Sequence, residues 1–187
     1  MDSQRDLVRE SIDLIKHAAS KIETGYFKIG TTYEPSGIVR ERVFAYELYH
    51  QIRSLMRKDF PLSLNGEIDK RGHIDFKASH RKNPDFVFHI PGIHEGNTLV
   101  IQIKGSLSYS VEKYLNDLKT MLIFISLYKY SAGVFLLYNH TYNQLRERIC
   151  LDLKKLPYSK AMSAIYILSI CRSFDCCSEN ILSEMCV

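Results

Sequence analysis

Long apolar runs, paired cysteine motifs, internal repeats and low-complexity tracts are all missing from this sequence of 187 residues. The most apolar stretch, Met121 to Leu127, lies between Lys119 and Lys129 and falls far short of the ~20 residues a membrane-spanning helix needs. Residues Met1 to Asp6 carry no apolar core and no small-residue cleavage site, so a secretory signal is not expected. Cys150, Cys171, Cys176, Cys177 and Cys186 are odd in number and match no zinc spacing, because a closed zinc site pairs two CxxC or CxxH halves. They read as reduced thiols of a cytoplasmic protein. No Gly-rich phosphate loop followed by Lys-Ser/Thr occurs, and no GxSxG nucleophile elbow, which removes two common catalytic templates.

What is present is an ordinary globular composition. Hydrophobic residues make up 45% and charged residues 25%, which excludes disorder as the global state. The 25 Lys+Arg against 21 Asp+Glu leave a net charge of +4, enough to permit a polyanionic partner without demanding one. The length suits a single α/β domain over residues 1–187, with the chemistry-bearing core between 36 and 140.

Periodicity divides the chain. Asp2 to Glu23 reads as an amphipathic helix with Leu7, Ile12, Leu14, Ile15 and Ile22 on one broad face. A second helix is expected from Pro35-Ser36-Gly37 to about Lys58, with an apolar stripe of Phe44, Leu48, Ile52 and Leu55. Three strands follow at Leu62–Ile68, Pro84–Ile90 and Asn97–Lys104, then a helix from Ser110 to about Tyr130. A buried strand at Ala132–Tyr138 and a helix near Tyr142–Leu153 come next; Ala164–Cys171 fits a strand or a helix. Three consecutive strands make a meander, and a helical crossover then leads to a strand parallel to its neighbour. The expected architecture is α/β, a mixed central sheet sandwiched by helices.

One constellation carries chemistry. Gln102 and Lys104 alternate onto the same face of one strand, and Asp85 opens the neighbouring strand of the meander. A carboxylate, a second oxygen donor and an ammonium then converge at one end of a sheet. Oxygen ligands hold a hard cation such as Mg²⁺, which lowers the pKa of a bound water and offsets phosphate charge. The lysine can orient that water or stabilise developing charge.

Pro84-Asp85 followed by Gln102-Ile103-Lys104, in this order of elements, resembles the PD-(D/E)XK nuclease superfamily with its restriction-endonuclease-like fold. The resemblance spans roughly Arg40 to Tyr138. Gln102 replaces the commoner Asp or Glu and is similar to the Mrr-type restriction endonucleases. The resemblance implies a metal-dependent DNA nuclease in restriction, phage defence or mobile-element biology. Asp85, the side-chain carbonyl of Gln102 and the backbone carbonyl of Ile103 would bind Mg²⁺, with Mn²⁺ as a substitute, and Lys104 would orient the attacking water. The family's helical glutamate maps to Glu41 or Glu47, and Glu67 on the first strand is a third candidate. A homodimer or a larger defence complex is plausible on the same grounds. The alternative is a nuclease-like module that binds nucleic acid or a partner protein without cutting, which the missing charge at Gln102 favours.

Charge distribution adds a second signal. Lys70, Arg71, Lys77, Arg81 and Lys82 lie in one stretch with Asp75 as its only acid, leading straight to Asp85. This segment can bring cations to a bound phosphate. Lys113, Lys119 and Lys129 can extend that surface from the following helix. Tyr109, Tyr114, Tyr128, Tyr130 and Tyr138 read as core and rim.

Overall fold

The structure, a computed structural model, describes residues 2–66, 83–93, 96–157, 159–171 and 176–186. In chain order the elements are α1 (Asp2–Lys21), α2 (Glu41–Leu55), β1 (Ser63–Gly66), β2 (Phe86–His89) and β3 (Asn97–Lys104). Then come α3 (Val111–Leu127), β4 (Ala132–Tyr138), α4 (Tyr142–Ile149), β5 (Ile165–Cys171) and β6 (Cys176–Ile181). The strands form one six-stranded mixed sheet in sequential order. β1–β2 and β2–β3 pair antiparallel, β3–β4 and β4–β5 parallel, and β5–β6 antiparallel. Among the described residues no helix is long and apolar enough to cross a membrane.

Both faces of the sheet are covered, which explains why β4 is apolar throughout and β3 carries the buried run Leu99 to Ile101. Ile12, Ile15, Ala19 and Ile22 of the first helical segment, with Phe44, Leu48 and Ile52 of α2, pack on Leu99, Ile101 and Ile103 of β3 and on Val134 and Leu136 of β4. The alternate residues, Val100 of β3 and Phe135 and Leu137 of β4, face Tyr114, Leu118 and Met121 of α3 and Leu145 and Ile149 of α4. Each fully buried Leu, Ile or Phe contributes roughly 1.5–3 kcal/mol, so these two layers hold the strand ends in place.

Several boundaries differ from the sequence reading. The second helix begins at Glu41, not near Ser36, because Ile29 and Ile38 exchange backbone hydrogen bonds of 3.0 and 2.8 Å. Gly37 closes that bridge at φ +87, where a side chain would also sit 2.9 Å from Lys28 Cβ. The helix at Tyr142 stops at Ile149, and a 3-10 turn over Leu153–Lys155 takes the remainder. Ile165–Cys171 is a strand, parallel to β4 from the Gly133–Ile165 pair onward. β6 was not expected, since Cys176–Ile181 is mostly polar and shows no alternation of apolar residues.

Candidate active site at the ends of β2 and β3

β3 ends at Lys104 and its antiparallel neighbour β2 starts just after Asp85, so both residues lie at the same end of the sheet. This is also the carboxyl end of the parallel pair β3–β4, the usual place for sites in open α/β sheets. β2 pairs with β3 only as far as Phe86 opposite Ile101, which leaves the Ile103 N–H beyond the ladder. The Asp85 carboxylate takes the place of the missing strand. Its Oδ2 accepts that N–H at 2.7 Å and the Gln102 Nε2 at 2.7 Å. An extended residue projects its N–H and C=O to the same side, so the Ile103 carbonyl faces the same gap.

Gln102 and Lys104 are 8% and 4% exposed, and Lys104 is the one buried charged residue among the described residues. Its ammonium lies 3.1 Å from Asp117 Oδ2 on α3 and 3.6 Å from Glu41 Oε2 at the start of α2. Burial alone works against the Lys104 ammonium, but Asp117 and Glu41 outweigh it and hold its pKa above the ordinary lysine value. Asp85 moves the other way from a normal carboxylate. Burial pushes it up to about 6, against the Ile103 N–H and the Lys104 charge, with Glu41 and Asp117 adding to the rise.

Glu41 has a second anchor: its Oε1 accepts the Gly105 N–H at 3.1 Å. Gly105 admits no side chain, since a Cβ there would lie 2.1 Å from the Tyr138 ring. That ring stacks on Phe44 at 3.9 Å between centroids, tying α2 to the end of β4. The loop after β3 is held from three directions. Tyr114 donates its hydroxyl to the Ser106 carbonyl, His140 Nε2 accepts the Leu107 N–H at 3.3 Å, and Arg148 donates to the Tyr109 carbonyl at 2.9 Å. Tyr109 lies at the rim, with the Lys113 ammonium 3.3 Å and the Lys104 ammonium 5.9 Å from its ring centroid.

Of the sequence candidates, the structure therefore brings Asp85, Gln102, Ile103, Lys104 and Glu41 together. Glu47 is elsewhere; it accepts a 2.7 Å hydrogen bond from Gln51 one turn along α2. Glu67, Arg71, Lys77, Arg81 and Lys82 lie outside the described residues. Lys119 is exposed on α3, and two residues from Asp117 turn it by ~200° around the helix, away from Lys104. Lys129 follows the far end of α3, near the start of β3 rather than its end, so it does not extend the surface around Lys104. Tyr114, Tyr130 and Tyr138 are buried, as expected.

Asp117 and Gly105 are the residues that sequence reasoning missed. Asp117 had a signal: a carboxylate between Tyr114, Leu118 and Met121 interrupts the buried face of a helix and needs a cationic partner.

The donors here fit a hard cation in kind, being carboxylate and carbonyl oxygens. Their arrangement fits less well. The Gln102 amide presents its NH₂ to Asp85, and no group of three His, Cys, Asp or Glu residues able to hold a metal occurs among the described residues.

A cavity of about 570 Å³ adjoins the site on the α2 side, with Asp85 and Ile103 in its wall. No family model matches the chain, and no curated protein or solved structure matches it either.

Proposed function

We propose that this protein is a divalent-metal-dependent nuclease that hydrolyses phosphodiester bonds in DNA, built on the PD-(D/E)XK plan. The observation that carries the reading is the meeting of Asp85 with Gln102 and Ile103 at 2.7 Å, across two strands and beside the buried Lys104. The order helix, three antiparallel strands, helix, parallel strand supports it as well. Asp85 and the Ile103 carbonyl would hold Mg²⁺ or Mn²⁺ with Glu41, and Gln102 would join once its amide turned its oxygen inward. The bound cation would lower the pKa of water and offset phosphate charge. Lys104, kept cationic by Asp117 and Glu41, would orient the attacking water or take up charge on a phosphate oxygen. Restriction or phage defence is the setting that goes with this plan.

Purified protein is expected to cut plasmid or single-stranded DNA with Mg²⁺ or Mn²⁺ and to stop in EDTA. Cleavage that persists in EDTA, or none with any cation and substrate, overturns the reading. The Gln102 amide favours a second reading, a non-cleaving DNA-binding module, because an NH₂ aimed at Asp85 is a donor where a cation needs an acceptor.

A further inference from the structure

We propose that the 570 Å³ cavity beside Asp85 is a nucleobase pocket, so that the DNA engaged here is single-stranded or locally unpaired next to the reacting phosphate. This rests on the nuclease reading for the identity of the polymer. It goes beyond that reading in naming which part of the polymer enters the protein.

The cavity is larger than a cation and a phosphate require and falls within the roughly 300–1,000 Å³ of pockets that enclose organic ligands. Its walls are aromatic. Arg42, Tyr46 and Tyr49 stand four and three residues apart on one face of α2, and Phe86 of β2 lines the cavity beside Tyr49. Tyr49 is a fixed wall: its hydroxyl donates to the Leu64 carbonyl at 3.3 Å, and its ring lies 5.7 Å from Phe86. Tyr46 is 63% exposed, so its ring is open to solvent at the edge of the cavity. Gly66 keeps the Phe86 side open, since a Cβ there would meet that ring at 3.3 Å.

Every base offers a π-face, so aromatic walls take bases with little regard to sequence. A base inside a duplex cannot reach such a pocket without leaving the stack, which makes an unpaired nucleotide the natural occupant.

The test uses oligonucleotides with 2-aminopurine in a short 3′ overhang or in a fully paired position, titrated with the whole protein in Ca²⁺ and in EDTA. Stacking on tyrosine is expected to quench the overhang probe, whereas the paired probe, already dim from stacking in the duplex, should not change on adding protein. Tyr46→Ala should weaken binding of the overhang probe roughly 5- to 150-fold, and Tyr46→Phe should restore it. Equal quenching of both probes, or a Tyr46→Ala variant that folds and binds as tightly as wild type, overturns the pocket. DNA cut normally without quenching also overturns the pocket and leaves the nuclease standing. Quenching that depends on Tyr46, without cleavage under any condition, supports the pocket and removes the nuclease.

Discussion

Two charged clusters in this molecule are similar in composition and opposite in character. On the surface, Arg9 of α1 bonds Asp13 at 2.6 Å and Glu179 of β6 at 2.5 Å, and Lys16 adds a 3.1 Å contact to Glu179. At the ends of β2 and β3, Lys104 sits between Asp117 and Glu41, with Asp85 close by. The surface carboxylates are stabilised as anions: hydrogen bonds from Arg9 hold both Asp13 and Glu179 below the ordinary range. Asp85 is pushed by burial in the other direction, to about 6. The first cluster joins the first helix to the last strand and helps hold the fold. In the second, Asp117 and Glu41 favour the Lys104 ammonium while burial works against the Asp85 carboxylate, and a carboxylate held above its normal pKa in a cleft is a mark of chemistry more than of stability.

The largest effect that can break this contrast comes from Asp85→Asn. Between its unfolded pKa of 3.8 and its folded value of about 6, the native protein binds more protons than the unfolded chain. Stability therefore falls as pH rises through that window and stays lowered above it, by on the order of 3 kcal/mol. The neutral amide removes the penalty and keeps an oxygen for the Ile103 N–H. In EDTA at pH 8, Asp85→Asn should melt roughly 5–10 °C above wild type and lose the slope between about pH 4 and 6, while DNA cleavage is lost. A variant that melts below wild type at pH 8 would mean that Asp85 serves the fold after all.

Gln102→Glu sharpens the contrast by adding charge to the buried cluster. The new carboxylate would replace an amide 2.7 Å from Asp85, where two anions share a proton and titrate as a pair. Without metal, the variant should lose roughly 1–3 kcal/mol at pH 8. With Mg²⁺ it should gain more thermal stability than wild type does, because hard cations favour carboxylates and affinity rises with ligand charge. Calorimetric titration checks this directly. A variant that folds normally yet binds Mg²⁺ more weakly than wild type would show that position 102 does not face the cation.

How far each cluster could be read beforehand follows from the physics that placed it. β3 and β4 were legible to the residue because two-sided burial writes the apolar runs Leu99–Ile101 and Ala132–Tyr138, the first strand stopped by Gly105 and the second begun after Ser131. Asp85, Gln102 and Lys104 were legible because strand alternation and antiparallel order fix their end of the sheet. Glu41 and Glu47 were not separable, although ~9 Å of helix divides them, since both are partly exposed on α2 and only the packing of α2 on the sheet selects one. The surface cluster was invisible. Arg9 and Glu179 are 170 positions apart, and β6 has no apolar alternation to announce a strand. The direction of the Gln102 amide is likewise a tertiary matter, set by whether Asp85 or a cation faces it.

The smallest effect belongs to the surface cluster, through Glu179→Gln. Its side chain is 21% exposed and Arg9 is 49% exposed, so solvent screens the pair, and exposed pairs of this kind contribute about 0.2–1 kcal/mol. Asp13 still holds Arg9 in the variant, which limits the loss further. At pH 7 and low salt the melting temperature should drop by at most about 4 °C. Because the Glu179 pKa is lowered, its contribution is present above the ordinary carboxylate range and disappears as pH falls through the folded value. Wild type and variant should then converge in acid, below the ordinary carboxylate range. They should also converge in 1 M salt, where the screening length shrinks to about 3 Å, whereas the gain from Asp85→Asn persists there because that carboxylate is buried. Cleavage should be unchanged in Glu179→Gln. A loss as large as the gain at Asp85, or a change in cleavage, would mean that α1 and β6 transmit to the site and that the two clusters are not independent.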